Sequence, residues 1–187
     1  YLDIIKDRLY CEKEKSVERR AAQTVMYRIL SGVARLIAPI MSFTAEEIWG
    51  YLPHCADENS ESIFMNEMPK KSGIEFDDEF ISMWEFIYNL RETVNKVLEE
   101  KRNEKVIGKS LEANIIIHCS DEDFEKYNSI ADKLAEILIV SGVSVVGANA
   151  GAPEFEVVKA SGEKCERCWC YSETVGKCSD HPTLCER

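Results

Sequence analysis

The chain has 187 residues, 45% of them apolar and 30% charged, with a formal net charge of −11. That composition can bury a core of ordinary domain size, which excludes a disordered chain, and the acidic balance by itself argues against nucleic-acid binding. No run of about 18 apolar residues offers a membrane span, and the opening YLDIIKDRLY carries charges where a secretion signal would be apolar.

The opening reads as the middle of a helix in a longer protein, and residues 1–52 read as helices. In 17–38 the apolar positions Ala21, Val25, Ile29, Val33, Leu36 and Ile37 recur at helical spacing, and Pro39 closes the run. Thr44 and Glu47 have the spacing of a capping box, which starts a short helix that carries Ile48, Trp49 and Leu52 and ends at Pro53. Residues 53–76 form an acidic loop without periodicity. Asp77 then caps a long helix, where Phe80, Trp84, Ile87, Leu90, Val94 and Val97 form one stripe that reads as core.

After Gly108 the period changes. LEANIIIHC at 111–119 has the composition of a strand. Residues 122–138 repeat Phe124, Tyr127, Ile130, Leu134 and Ile137 as a helix would, and ILIVSGVSVV and EFEVVKA are two further strand candidates. Residues 162–187 carry five of the eight cysteines and little apolar content, so this segment lacks a hydrophobic reason to fold. The charge is uneven as well. Residues 1–38 carry eight Lys/Arg against five Asp/Glu, while the acidic excess collects in 39–80 and 111–163.

Clustering of cysteines near one end, without a secretion signal, favours a metal site in a reducing compartment over a disulfide framework. Cys165-Glu-Arg-Cys168 can grip one zinc ion in a tight turn. Spacing alone leaves Cys170, Cys178, His181 and Cys185 open as further ligands. Arg167 and Trp169 flank Cys168, and an exposed Trp beside an Arg can serve as a platform for an unstacked base; packing against the neighbouring α/β unit is the other reading. Arg28, Arg91 and Lys96 lie on locally neutral to basic helices and can meet phosphates. There is no Walker loop, no G-x-G-x-x-G and no G-x-S-x-G, and no nucleophile stands beside a base. His54 and His118 read as structural.

With these residues laid out, a resemblance follows. RLIAPIMSFTAEEIWGYLP at 35–53, the opening YLDIIKDRLY and the pair Arg19-Arg20 resemble the helical anticodon-binding domain of class I aminoacyl-tRNA synthetases for Ile, Val, Leu and Met. IFMNEMP at 63–69, IGKSLEA at 107–113 and KCERCW at 164–169 resemble the isoleucyl branch, whose enzymes end in a zinc knuckle. The resemblance implies a mainly α-helical bundle over 1–103 whose first part precedes Tyr1, a small α/β junction over 104–161 and a truncated zinc knuckle over 162–187. It implies zinc as the cofactor and Cys165, Cys168 and Cys185 as three ligands. The companion of Cys185 would fall one residue past Arg187, which leaves Cys178 or His181 as stand-ins. It also implies tRNA(Ile) as partner, no membrane association, a monomer and a cytoplasmic location. The catalytic signatures HIGH and KMSKS and the editing domain are absent, so ATP binding and ligation would belong to the rest of the parent enzyme. The alternatives are a stand-alone zinc-binding interaction module and a valyl or leucyl relative.

Overall fold

A computed structural model describes residues 1–147 and 151–186. Among them are six α-helices, a three-stranded mixed sheet and a short two-stranded hairpin. The chain divides into two compact units, one of Tyr1–Cys11 with Phe76–Arg187 and the other of Glu12–Glu75.

The first unit is built around β1 (Ala113–Cys119), the strand expected from composition. Ala113, Ile115, Ile117 and Cys119 are buried in alternation along it, as a period of two requires. It pairs in parallel with β2 (Gly142–Gly147) and antiparallel with β3 (Glu154–Lys159), giving the order β2-β1-β3. The parallel pair demands a crossover. Two short helices supply it, α5 (Asp121–Asn128) and α6 (Ala131–Leu138), where the sequence suggests one. The break falls at Ser129, whose hydroxyl donates to the Lys126 carbonyl. The strand read from Ile137 begins instead at Gly142, because Ile137 and Leu138 complete α6 and Ile139 turns the chain at φ 58°. Residues 148–150, within the Gly/Ala/Asn/Pro stretch between the two later strands, lie outside the described residues.

The long helix α4 (Asp78–Asn103) starts where expected, with the Asp77 side chain accepting the Phe80 amide. Its expected stripe divides. Ile87, Leu90, Val94 and, one position on, Leu98 are buried, and the last three join Ile115, Ile117, Leu134 and Leu138 in one core cluster. Phe80 and Trp84 belong to a ladder with Phe76 and Tyr88, with ring centroids 4.8, 6.2 and 5.9 Å apart in succession. Past α4, the Gly108 amide donates to Glu112 Oε2 at 2.7 Å, which holds that carboxyl below the usual range and shapes the IGKSLEA string into a tight turn. The helix α1 (Lys6–Cys11) docks on α6 through a bidentate ion pair, Arg8 Nε to Glu136 Oε1 at 2.5 Å and Nη2 to Oε2 at 2.8 Å.

In the second unit, α2 (Val17–Ile37) is capped by Ser16, whose side chain accepts the Arg19 amide. Its buried residues are Ala22, Ser31 and Ala34, whereas Val25, Ile29, Val33 and Leu36 are exposed. Small residues let α3 (Ser42–Tyr51) approach closely, and Ala34, Ala38, Ala45, Trp49 and Ile63 form the core. The capping box does not form. Met41 bonds back to the Ile37 carbonyl and Ser42 Oγ to Ala38, so helical turns resume at Ser42 and leave Thr44 inside the helix.

Polar bonds organise the acidic loop. Glu58 accepts from the Tyr27 hydroxyl, Arg35 Nη2 and the Cys55 amide, and Trp49 Nε1 donates to the Asn59 carbonyl at 3.0 Å. Burial pushes the Glu58 carboxyl up, but the bonds from Tyr27 and Cys55 and the Arg35 charge outweigh it and hold it below the usual value. The unfolded carboxyl titrates at about 4.3. This contribution is therefore complete at neutral pH and is lost as pH falls through the folded value. Glu58→Gln should cost roughly 2 kcal/mol at pH 7 in thermal unfolding, with the loss shrinking toward pH 3. An equal loss at both pH values would refute the assignment.

Candidate metal centre and nucleic-acid interface

The cysteine-rich segment folds as a turn set into a hairpin. Strands β4 (Glu163–Lys164) and β5 (Tyr171–Ser172) pair antiparallel, with 165–170 between them. The turn closes through the Cys165 amide to the Cys170 carbonyl and the Trp169 amide to the Cys165 carbonyl, both at 2.9 Å. Trp169 takes φ 65° to complete it, which presents its ring to solvent at 57% exposure. One anchor to the sheet is Ser141, whose hydroxyl donates to the Leu111 carbonyl and accepts the Tyr171 amide at 2.7 Å.

The later part of the segment folds back over this turn. The Glu166 amide reaches the Thr183 carbonyl, the Glu186 amide reaches Thr174 Oγ1 and the Cys185 amide points at Cys165 Sγ from 3.5 Å. The result brings Cys165, Cys168 and Cys185 together, with their sulfurs all within 4.8 Å of one another and Cys168 and Cys185 3.7 Å apart. Cys165 is buried. Burial raises its thiol, but the amides of Cys168, Cys185 and Arg167 outweigh that and bring it down to about 7. Amide donors stabilise a thiolate, the form in which cysteine binds metal. The contact with Cys170 and then burial raise Cys168, and the same contact lowers Cys170. Three soft sulfurs converging under backbone amides are a fit donor set for a metal ion.

The other expected residues separate by location. Cys178 and His181 are exposed and stand outside the three-sulfur group; the His181 amide bonds the Cys178 carbonyl in a turn of their own. Arg167 is exposed, and Lys164 Nζ lies 5.2 Å from the Trp169 ring centre. Lys96 and Arg28 are exposed on α4 and α2. Arg91 is half-buried, and its Nε donates to the Ile137 carbonyl at 3.0 Å, which ties α4 to the end of α6. His118 pairs with Glu156 across the sheet at 3.1 Å, and the His54 ring lies against Trp49.

Two features escape the sequence. A cleft of about 800 Å³ lies among α1, α6 and the cysteine turn, with Tyr10, Ile139, Trp169 and Tyr171 in its walls. Beside it a cavity of about 20 Å³, near the size of one water, is lined by Cys11, Cys165, Arg167, Cys168, Leu184 and Cys185. No spacing rule links Cys11 to a segment so far along the chain; only the fold brings it there.

Residues 1–117 match the anticodon-binding domain of tRNA ligase, and the chain belongs to that family. Among its relatives are isoleucine–tRNA ligases. That of Caldanaerobacter subterraneus is 43% identical over 199 residues, covering 100% of this chain and 21% of the relative. That of Dichelobacter nodosus is 45% identical over 190 residues, covering 100% and 20%. A Bacillus cereus relative is 42% identical over 196 residues, covering 100% and 21%. The chain spans about a fifth of the length of the curated relatives it matches.

Gly162 opens the hairpin at φ 83°, and a Cβ there would stand 2.3 Å from the Ser172 carbonyl carbon. Gly162→Ala adds a left-handed strain of about 1–2 kcal/mol to that backbone clash. Amide exchange should accelerate across 164–171 and stay unchanged in β1. Unaltered protection across 164–171 would contradict this reading of the turn.

Proposed function

We propose that this chain holds the anticodon region of tRNA(Ile) for a ligase that joins isoleucine to it at the expense of ATP, with the ligation performed by parts of the protein outside these residues. The observation that carries the reading is the family match across 1–117, joined to relatives named isoleucine–tRNA ligase that align with the whole chain. The same alignments favour this reading over a stand-alone interaction module and over a valyl or leucyl relative. The helical part, the α/β part and the cysteine-rich part are read as a tRNA-binding bundle over 1–103, a junction over 104–161 and a zinc knuckle over 162–187. A cytoplasmic, monomeric protein completes the reading, and a reducing compartment would keep its eight cysteines as thiols.

Binding would draw on two kinds of contact. Arg28, Lys96 and Arg167 offer guanidinium and ammonium groups to phosphates, and Trp169 offers an exposed face to a splayed base. Arg91 belongs to the same proposed set, but its bond to Ile137 gives it a structural task as well, so it is a poor probe of binding alone. Since phosphate contacts release counterions, affinity should fall steeply between low and moderate salt. Trp169→Ala should weaken binding by about 1–3 kcal/mol, the range for a stacked base. Replacing Arg28, Lys96 and Arg167 together by alanine should lower affinity and flatten the salt dependence. Titration of labelled tRNA(Ile) at several salt concentrations decides it, and unchanged affinity and slope in the triple variant would overturn the contact assignment.

Zinc is the metal proposed for the thiol cluster, with Cys165, Cys168 and Cys185 supplying three of the four positions of a structural site. Bound zinc would clamp the two ends of the segment. Cys165→Ser should abolish tight stoichiometric zinc, whereas Cys178→Ser and His181→Ala should each leave it in place. Metal analysis of the purified variants reads this directly, and loss of zinc in either of the latter two would make that residue a ligand.

A further inference from the structure

We propose that Cys11, the last residue of α1, is a positioning residue of the thiol centre: it holds the Cys165–Cys168 turn from outside through the Arg167 carbonyl and closes the wall of the metal cavity. The inference rests on the metal reading given above and adds a residue to it from the other end of the chain.

Three observations carry it. Cys11 Sγ lies 3.7 Å from the Arg167 carbonyl oxygen, within the range of a sulfur donor, and Arg167 sits inside the turn that joins two of the three converging thiols. Cys11 also lines the cavity of about 20 Å³ along with Cys165, Cys168 and Cys185. Finally, α1 is not a loose arm: the bidentate Arg8–Glu136 pair pins it to α6, so its last residue is presented to the turn at a fixed place. The side chain is only half-buried, yet burial raises its thiol.

The physical consequence concerns how a bound metal leaves. A C-x-x-C turn releases its ion by opening, and opening requires the peptide carrying Arg167 to swing. A thiol donor fixed on a docked helix opposes that swing and shields the ion from a competing chelator. It does so without bonding to the metal, because the three-sulfur group with all members within 4.8 Å does not include Cys11.

The test uses the full chain loaded with cobalt as a spectroscopic substitute for zinc. Cys11→Ala removes the donor and opens the wall, and Cys11→Ser keeps a hydroxyl donor. Cobalt release to excess chelator should be roughly 10-fold or more faster in Cys11→Ala and close to that of the unsubstituted chain in Cys11→Ser. Both variants should keep the thiolate-to-cobalt absorption of the unsubstituted chain. A variant that merely unfolded would lose that absorption, and Cys11→Ser guards against the same confusion. Equal release rates in Cys11→Ala and the unsubstituted chain would overturn the proposal. So would a drop in thiolate absorption in Cys11→Ser with its thermal unfolding unchanged, which would make Cys11 a ligand. Failure of the unsubstituted chain to take up cobalt would overturn the metal reading and this inference with it.

Discussion

Both edges of β1 are paired, and every second side chain along it is buried. A three-stranded sheet this short cannot bury enough area by itself, so it depends on helices laid against it. Leu90, Val94 and Leu98 of α4 and Leu134 and Leu138 of α6 provide that cover. The register of β1 also fixes what lies beyond its start. The Ala113 carbonyl accepts the Ser141 amide, and the Ser141 hydroxyl in turn accepts the amide of Tyr171. One seryl side chain thus carries the order of the sheet into the cysteine turn. Slipping β1 by one residue would exchange its two faces and displace the anchor of the thiols along with the core.

Much of this was legible in the sequence where a single physical signal governs. The composition of LEANIIIHC gave β1, an Asp before an apolar run gave the start of α4, and two cysteines with two residues between them gave the heart of the thiol cluster. The misreadings arose where two signals compete. Thr44 and Glu47 have the spacing of a capping box, but the helix starts at Ser42, so Thr44 lies inside its first turn and cannot serve as the N-cap. On α2 the large apolar residues make the better stripe, yet Ala22, Ser31 and Ala34 are the ones buried. The run from Ile137 is as apolar as a strand, and only the left-handed turn at Ile139 separates helix from sheet within it.

The candidate site shows a sharper division. C-x-x-C is local and readable, and Cys185 followed from a resemblance. Cys11 and Ser141 could not be found this way, since their roles come from positions that tertiary packing alone brings near the turn. Arg91 shows a structural task that the sequence does not signal. A basic residue on a helix reads as a phosphate contact, while its bond to the Ile137 carbonyl shows that part of its charge is already engaged in holding α4 against α6.

The first eleven residues belong to the same compact unit as Phe76–Arg187, although Glu12–Glu75 intervene and form a unit of their own. During synthesis this ordering imposes a delay. The intervening unit holds all its internal partners once residue 75 has emerged, while Arg8 must await Glu136 and Cys11 must await Arg167, 156 positions later. At about 5–20 residues per second that interval is roughly 8–30 s. Throughout it, α1 lacks the contacts with Glu136 and Arg167 that hold it in the folded unit. Although it is made before Glu12–Glu75, this segment is therefore docked after that unit is complete, because closing so long a loop makes its docking a late step on the folding pathway.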